Sequence, residues 1–242
     1  MNPFPSDIHT HTIASGHYTQ DTVTDMVRQA ALKGIKLLGI SEHGPALPHT
    51  CTLSYFRGLF HAPAFRMGIR ILYGAEVNIT DKSGRLDLPE DIMEHLDYCL
   101  AAMHLPCLAP GNRDENTESY IRAMSNPCIR ILAHPDDERY PVDYQRLTEA
   151  AMDYHVLLEI NNSSLAPDGY RGNAKENDRT ILELCRKYRY PVLLSSDSHG
   201  HAHLGDFRHA LELIRETDFP AELILNSSPE KLLDFLKRTP AC

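Results

Sequence analysis

Histidine and carboxylate residues recur along this chain in short groups suited to binding metal ions. D-I-H-T-H-T carries His9 and His11 one residue apart, with His17 close behind, and S-S-D-S-H sets Asp197 and His199 at the same spacing. Between these pairs, S-E-H ends at His43, G-A-E-V-N contains Glu76, A-A-M-H ends at His104 and A-H-P centres on His134. Residues i and i+2 of an extended segment point to one face, so each spaced pair can present two donors together. Imidazole and carboxylate are groups that zinc, manganese and iron accept. The chain holds 14 histidines, about twice what ordinary composition would supply.

The elements that must position these groups can be read from periodicity. Short apolar runs fit strands over 6–11, 35–43, 69–79, 97–104, 128–135, 156–164 and 191–199. Helical spacing fills 22–34, 114–125, 144–154, 176–188, 206–217 and 228–238, with a short apolar run at 221–226. Gly34 reads as a helix C-cap, and Ser228 followed by Pro229 reads as a helix start. The strands are apolar in the middle and end in His, Asp, Glu or Asn; the sixth carries Glu159 and Asn161. No G-x-G-x-x-G turn follows the first strand, so a closed parallel barrel is favoured over an open doubly wound sheet. In such a barrel all C-terminal strand ends meet on one rim. His9, His11, His17, His43, Glu76, His104, His134, Asp197 and His199 would gather there. They are too many for one four-coordinate ion and suit two or three. His61, His95, His155, His201, His203 and His209 read as solvated or hydrogen-bonded side chains, and His49 in its Pro-rich loop stays open.

Length and composition bound the rest. The 242 residues suffice for one sizeable α/β domain, expected to span 1–242. A net charge of −9 argues against long nucleic acid as a partner. It leaves room for a small anionic substrate, because bound metal ions reverse the local field. The six cysteines, Cys51, Cys99, Cys107, Cys128, Cys185 and Cys242, form no C-x-x-C pair and read as reduced thiols. Neither a membrane-spanning run nor a signal peptide is visible, so a cytoplasmic location is expected. Nothing in the sequence sets an oligomeric state. Leu232, Leu233 and Leu236 stripe the last helix and read as core.

D-I-H-T-H-T (7–12), I-S-E-H-G-P (40–45), G-A-E-V-N-I (74–79), A-H-P (133–135) and S-S-D-S-H (195–199) resemble the motifs of the PHP (polymerase and histidinol phosphatase) superfamily. L-E-I-N-N-S-S (158–164) and D-F-P-A-E-L-I-L-N-S-S-P (218–229) are similar to its YcdX-type phosphatase branch. The resemblance covers nearly the whole chain. It implies a distorted seven-stranded (β/α) TIM-like barrel of PHP type, three metal ions, usually zinc, and phosphoester hydrolysis. Carried onto matching positions, it gives His9, His11, Glu76 and Asp197 to a first ion. Glu76 would bridge to a second ion held with His104 and His134, and His17, His43 and His199 would hold the third.

The expected activity is that of a phosphatase. A metal-bound hydroxide would cleave a small phosphomonoester, with Glu76 and Asp197 as the catalytic carboxylates. Manganese or iron would serve the same ligands. Arg139, Arg171 and Lys175, in loops after the fifth and sixth strands, are candidate phosphate contacts. Glu42 stands where the family normally has Asp, and its longer side chain is expected to orient His43 or a neighbour. Three alternatives compete with this reading. A phosphodiesterase acting on short nucleotides would use the same centre. Amidohydrolases also begin with H-x-H but need a modified Lys at the end of strand four, where this chain has His104. A non-catalytic metal-binding module would be expected to have lost ligands.

Overall fold

The structure, a computed structural model, describes residues 4–16 and 19–237. His17 and Cys242 lie outside the described residues. In chain order the strands are β1 Ser6–Asp7, β2 Thr10–His11, β3 Leu37–His43, β4 Phe65–Arg66, β5 Ile69–Asn78, β6 Tyr98–Ala102, β7 Ile129–Leu132, β8 Leu157–Asn161, β9 Val192–Ser195 and β10 Ser198–His199. The helices are α1 Val23–Lys33, α2 Leu53–Gly58, α3 Glu90–Met93, α4 Arg113–Met124, α5 Tyr144–Tyr154, α6 Ala174–Tyr188, α7 Arg208–Glu216 and α8 Pro229–Leu236.

Local chemistry explains where the helices begin and end. Thr22 and Asp25 form a capping box on α1, and Gly34 stops it at φ 78°. Asn112 and Glu115 cap α4 in the same way, Asp143 caps α5, and Ser228 caps α8 with Pro229 at its first position. The short apolar run at 221–226 forms two 3₁₀ turns rather than a strand. Helix α2, the antiparallel edge strand β4 and helix α3 are too short for a periodic signal to reveal.

Seven parallel strands run in the order β1-β3-β5-β6-β7-β8-β9, nearly closing into an α/β barrel of TIM-like form with helices between strands. The first and last strands depart from the continuous runs expected at 6–11 and 191–199. Each breaks after its first few residues, and the broken ends pair as β2 with β10, setting Thr10 opposite Ser198 and His11 opposite His199. The break after β9 comes where Asp197 adopts φ 49°.

Side chains close the seam between β1 and β9. The Asn226 Oδ1 accepts from Leu194 N at 2.8 Å, while its Nδ2 donates to the carbonyls of Leu194 at 2.7 Å and Ser6 at 3.0 Å. Higher up, the Asp7 carboxylate accepts from Ser196 N and Oγ and from Gly205 N. A buried asparagine thus stands in for a missing ladder. Asn226→Ala is expected to strand those three buried backbone groups and destabilise the fold by about 3 kcal/mol or more. Urea denaturation measures this, and an unchanged midpoint would show the seam to be indifferent to Asn226.

The barrel interior is apolar at its lower end. Ile8, Leu37, Tyr98, Leu157 and Leu193 join Leu232 and Leu236 of α8 in one buried cluster. Helix α8 therefore covers the end where the strands start, opposite their histidine-bearing ends. The Tyr98 hydroxyl donates to Ile8 O at 2.5 Å across the interior. Its ring fits because Gly39 and Gly74 face it: a Cβ at either would lie within 2.7 Å of Tyr98 atoms. A second cluster packs α4 to α7 on the outside of the strands, and a third seats α1 on β3 and β5. The five described cysteines are free thiols. Among the described residues no helix is long and apolar enough to cross a membrane.

Candidate metal centre

The C-terminal strand ends bring eight side chains to one point. His9 comes from the segment joining β1 and β2, His11 from the end of β2, His43 from the end of β3, and Glu76 from β5. His104 and His134 lie two residues beyond β6 and β7, Asp197 lies between β9 and β10, and His199 ends β10. Strand register sets their heights: His43 pairs with Glu76, and His11 with His199. All are buried except His104 and His199, which are half-buried.

Glu76 stands at the middle. Its Oε1 lies 2.7 Å from His134 Nε2 and 3.5 Å from His104 Nε2. Its Oε2 lies 2.6 Å from His43 Nδ1, 3.5 Å from His9 Nε2 and 3.6 Å from His11 Nε2. Asp197 Oδ1 approaches His9 Nε2 at 3.5 Å and His11 Nε2 at 3.3 Å. His199 Nε2 lies 3.4 Å from His43 Nε2.

These atoms fit cations better than they fit one another. His9 Nε2 and His11 Nε2 are buried and engaged in no hydrogen bond, a costly state for polar atoms unless something else binds them. Donor atoms gather within 4.8 Å of one another in three overlapping groups: His9–His11–Glu76, His43–Glu76–His104 and His11–His43–His199. Borderline-soft divalent ions take such imidazole and carboxylate sets.

Outer partners aim the rings. The Asn78 Nδ2 donates to Gly44 O and Asp87, so its Oδ1 is the acceptor for His104 Nδ1–H at 2.7 Å. Ser15 gives its one hydroxyl proton to Glu42, so its oxygen accepts from His43 N at 3.0 Å and from His11 Nδ1–H at 3.2 Å. His9 Nδ1–H donates to Glu159 Oε1 at 2.5 Å. In the neutral form of all three rings these partners assign the proton to Nδ1, so Nε2 is the nitrogen that can face an ion. Glu42 is buried and receives Thr12 N, Thr12 Oγ1 and Ser15 Oγ. It reaches the centre through Ser15 and not directly.

Electrostatics follow from the same packing. Burial works against charge on His9, but the carboxylates of Glu159, Asp197 and Glu76 outweigh it and raise its pKa well above the usual imidazole value. Burial, with His43 and His199 nearby, lowers His11 well below that value. Burial pushes Glu76 upward, yet His43, His104 and His9 hold it well below the usual carboxylate range. Burial opposes the charge on Asp197 too, and His9, His11 and Arg171 overcome it. Both acids are anionic at neutral pH, as ligands must be.

The three basic candidates separate. Arg139 lines a cavity of about 300 Å³ directly over His43, His104 and His199, with Leu47, Leu105 and Tyr170. Its side chain is 29% exposed and pairs with Asp137. Arg171 touches the same cavity but is only 4% exposed; its guanidinium donates to Asp197 Oδ2 at 3.1 Å and Ser164 Oγ at 2.9 Å. It serves a candidate ligand before it could serve a substrate. Lys175 is not brought to the site: it pairs with Glu216 across the α6–α7 surface at 2.8 Å.

Several contributors went unread in the sequence. Tyr170 stands at the mouth with both arginines, Arg139 and Arg171, about 5 Å from its ring centre, at 4.9 and 5.0 Å. On its far side a polar cavity of about 520 Å³ is lined in part by His203, His209, Asp168 and Asp206. His203 and His209 thus border the site, which their neighbours gave no reason to expect. His201 pairs with Asp21, and His155 stacks on Phe235, away from the centre.

Known proteins place this arrangement in context. The PHP domain family matches residues 7–217. A probable phosphatase of Clostridium novyi is 40% identical over 232 residues, covering 96% of this chain and 93% of its own. One from Clostridium acetobutylicum is 39% identical over 232 residues, with the same coverage of 96% and 93%. Among solved structures, histidinol phosphate phosphatase from Lactococcus lactis, complexed with zinc, L-histidinol and phosphate, matches with a TM-score of 0.60. That match covers 89% of this chain and 94% of the other at 16% identity, a likeness of fold. The family match spans most of the chain and the identities to these relatives run along nearly its whole length: the chain belongs to the PHP domain family.

Proposed function

We propose that this protein is a metal-dependent phosphatase that releases phosphate from a small phosphomonoester. The observation that carries the proposal is the ring of five imidazoles around the Glu76 carboxylate, with buried donor atoms left without hydrogen bonds. Three zinc-type ions suit the donor set. His9, His11, Glu76 and Asp197 would hold the first, and Glu76, His104 and His134 the second. His43 and His199 would hold the third, with His17 as the added ligand. Bound divalent ions supply Lewis acidity toward phosphoryl oxygens and lower the pKa of water.

The protein's own groups do the remaining work. Asn161 and Arg171 occupy Asp197 Oδ2, so Oδ1 alone faces the centre, where it can bind an ion or hold a proton. Leu47, Leu105 and Pro106 form an apolar lip that limits water over the ligands. Arg139 is the cation with an exposed edge at that lip, placed to meet an anionic ester, and the Tyr170 ring beside it offers a flat wall for the organic group. The net charge of −9 and the small volume of the cavity favour a small ester over a long polyanion.

Elemental analysis and phosphate release on one preparation test the proposal. Roughly two to three equivalents of transition metal per chain are expected. An aryl phosphate should be cleaved, activity should vanish on chelation, and added zinc should restore it. A metal-free preparation with full turnover would overturn the reading, as would a loaded one that cleaves no phosphomonoester.

A further inference from the structure

The strand that brings no candidate ligand is the informative one. β1, β3, β5, β6, β7 and β9 each carry or lead directly into a group of the centre, whereas β8 ends in Glu159 and Asn161. Two residues apart, these side chains share a face, and both are fully buried. Glu159 Oε1 accepts from His9 Nδ1 at 2.5 Å, and Oε2 accepts from His134 N at 2.6 Å and Asn161 Nδ2 at 3.0 Å. Asn161 Nδ2 also donates to Asp197 Oδ2 at 3.1 Å. Both carboxylate oxygens of Glu159 are thus occupied from within the protein, and the three groups that the pair grips come from three different strand ends.

Backbone geometry adds an independent observation. His134 has φ 32° and Asp197 has φ 49°, left-handed conformations that non-glycine residues hold only when their surroundings enforce them. Glu159 fastens the backbone N–H of the first, and Asn161 fastens the carboxylate of the second. We infer that Glu159, with Asn161, is the positioning residue that frames the metal centre: it fixes the His9 tautomer and locks His134 and Asp197 into their strained conformations before any ion binds. The inference rests on the metal-site reading above, and it concerns metal affinity, not the identity of the substrate.

Glu159→Gln keeps the shape but gives one arm of the side chain an NH₂. That arm must face either His9 Nδ1–H or His134 N–H, so one of the two grips is lost. Zinc affinity, titrated against a chromophoric chelator, is expected to fall about 10- to 100-fold, while the apo-protein still melts cooperatively. In a His9→Ala background the same substitution should cost markedly less, because one of its targets is gone. Glu159→Asp, which keeps the charge, should recover part of the affinity.

Wild-type zinc affinity in the Gln variant would overturn the inference, as would a full, additive loss in the His9→Ala background. Should the Gln variant fail to fold, long-range ¹⁵N–¹H spectra of the zinc-loaded wild type decide the matter. They should show His9 protonated at Nδ1, and an Nε2–H form would defeat the inference. Wild-type protein that binds no zinc would overturn both this inference and the metal-site reading; an unaffected Gln variant beside a zinc-binding wild type would overturn this inference alone.

Discussion

Glu76→Ala is expected to lower kcat/KM for phosphate esters by a factor of about 1,000 or more. The substitution removes the one carboxylate that approaches His9, His11, His43, His104 and His134 together. Among the described residues the other acid of the centre does not replace it. Asp197 pairs with His9, His11 and His199. Without the shared anion, five imidazoles must hold cations next to one another with less negative charge between them, so bound metal should fall by at least one ion. Glu76→Gln should be nearly as damaging, because its volume is kept and its charge is not. Kinetics and elemental analysis on the same samples check both results, with circular dichroism to confirm the fold. Near-normal turnover in either variant would mean that Glu76 is not the shared ligand.

Saturating zinc is expected to raise the melting temperature of metal-stripped protein by about 8–16 °C. At a thousandfold excess over Kd, a ligand that binds only the folded state stabilises by about 4 kcal/mol. For a chain of this size each kcal/mol moves Tm by about 2–4 °C. The folded-state preference is strong here because the donors lie between residues 9 and 199 and meet only in the closed barrel. Burial, with His43 and His199 each stacked 4.3 Å away, also lowers the proton affinity of His11, so protons compete weakly for its nitrogen. Calorimetry with and without chelator measures the shift. Zinc adsorbed at surface histidines would bind the unfolded chain as well and leave Tm unmoved.

How far the sequence disclosed this arrangement depends on the kind of information involved. Strand ends were legible because apolar runs such as I-R-I-L stop abruptly at A-H-P, and the resemblance to PHP motifs marked the same places. The breaks in the first and last strands were not, since the left-handed turn at Asp197 is imposed by its partners and has no glycine to announce it. Lys175 looked as available as Arg139; only the packing of α6 against α7 gives it to Glu216. Arg171 likewise shows no sign, in sequence, of being buried behind Asp197. Glu159 was visible as a charge inside V-L-L-E-I-N, but a buried ligand and a residue that holds ligands leave the same mark there. The distinction needs the positions of His9 and His134, which lie 150 and 25 residues away in sequence.

The asparagine seam also governs when the chain can finish folding. Residues 6, 194 and 226 meet at one side chain, and α8 seals the interior from below. During synthesis, the chain must leave the ribosome at least as far as residue 226 before the two outermost strands can be joined. Until then both carry open hydrogen-bonding edges, the form in which nascent sheets associate wrongly. Such long-range closure is slow, so the newly made chain should lean on chaperones until the segment around residue 226 has emerged.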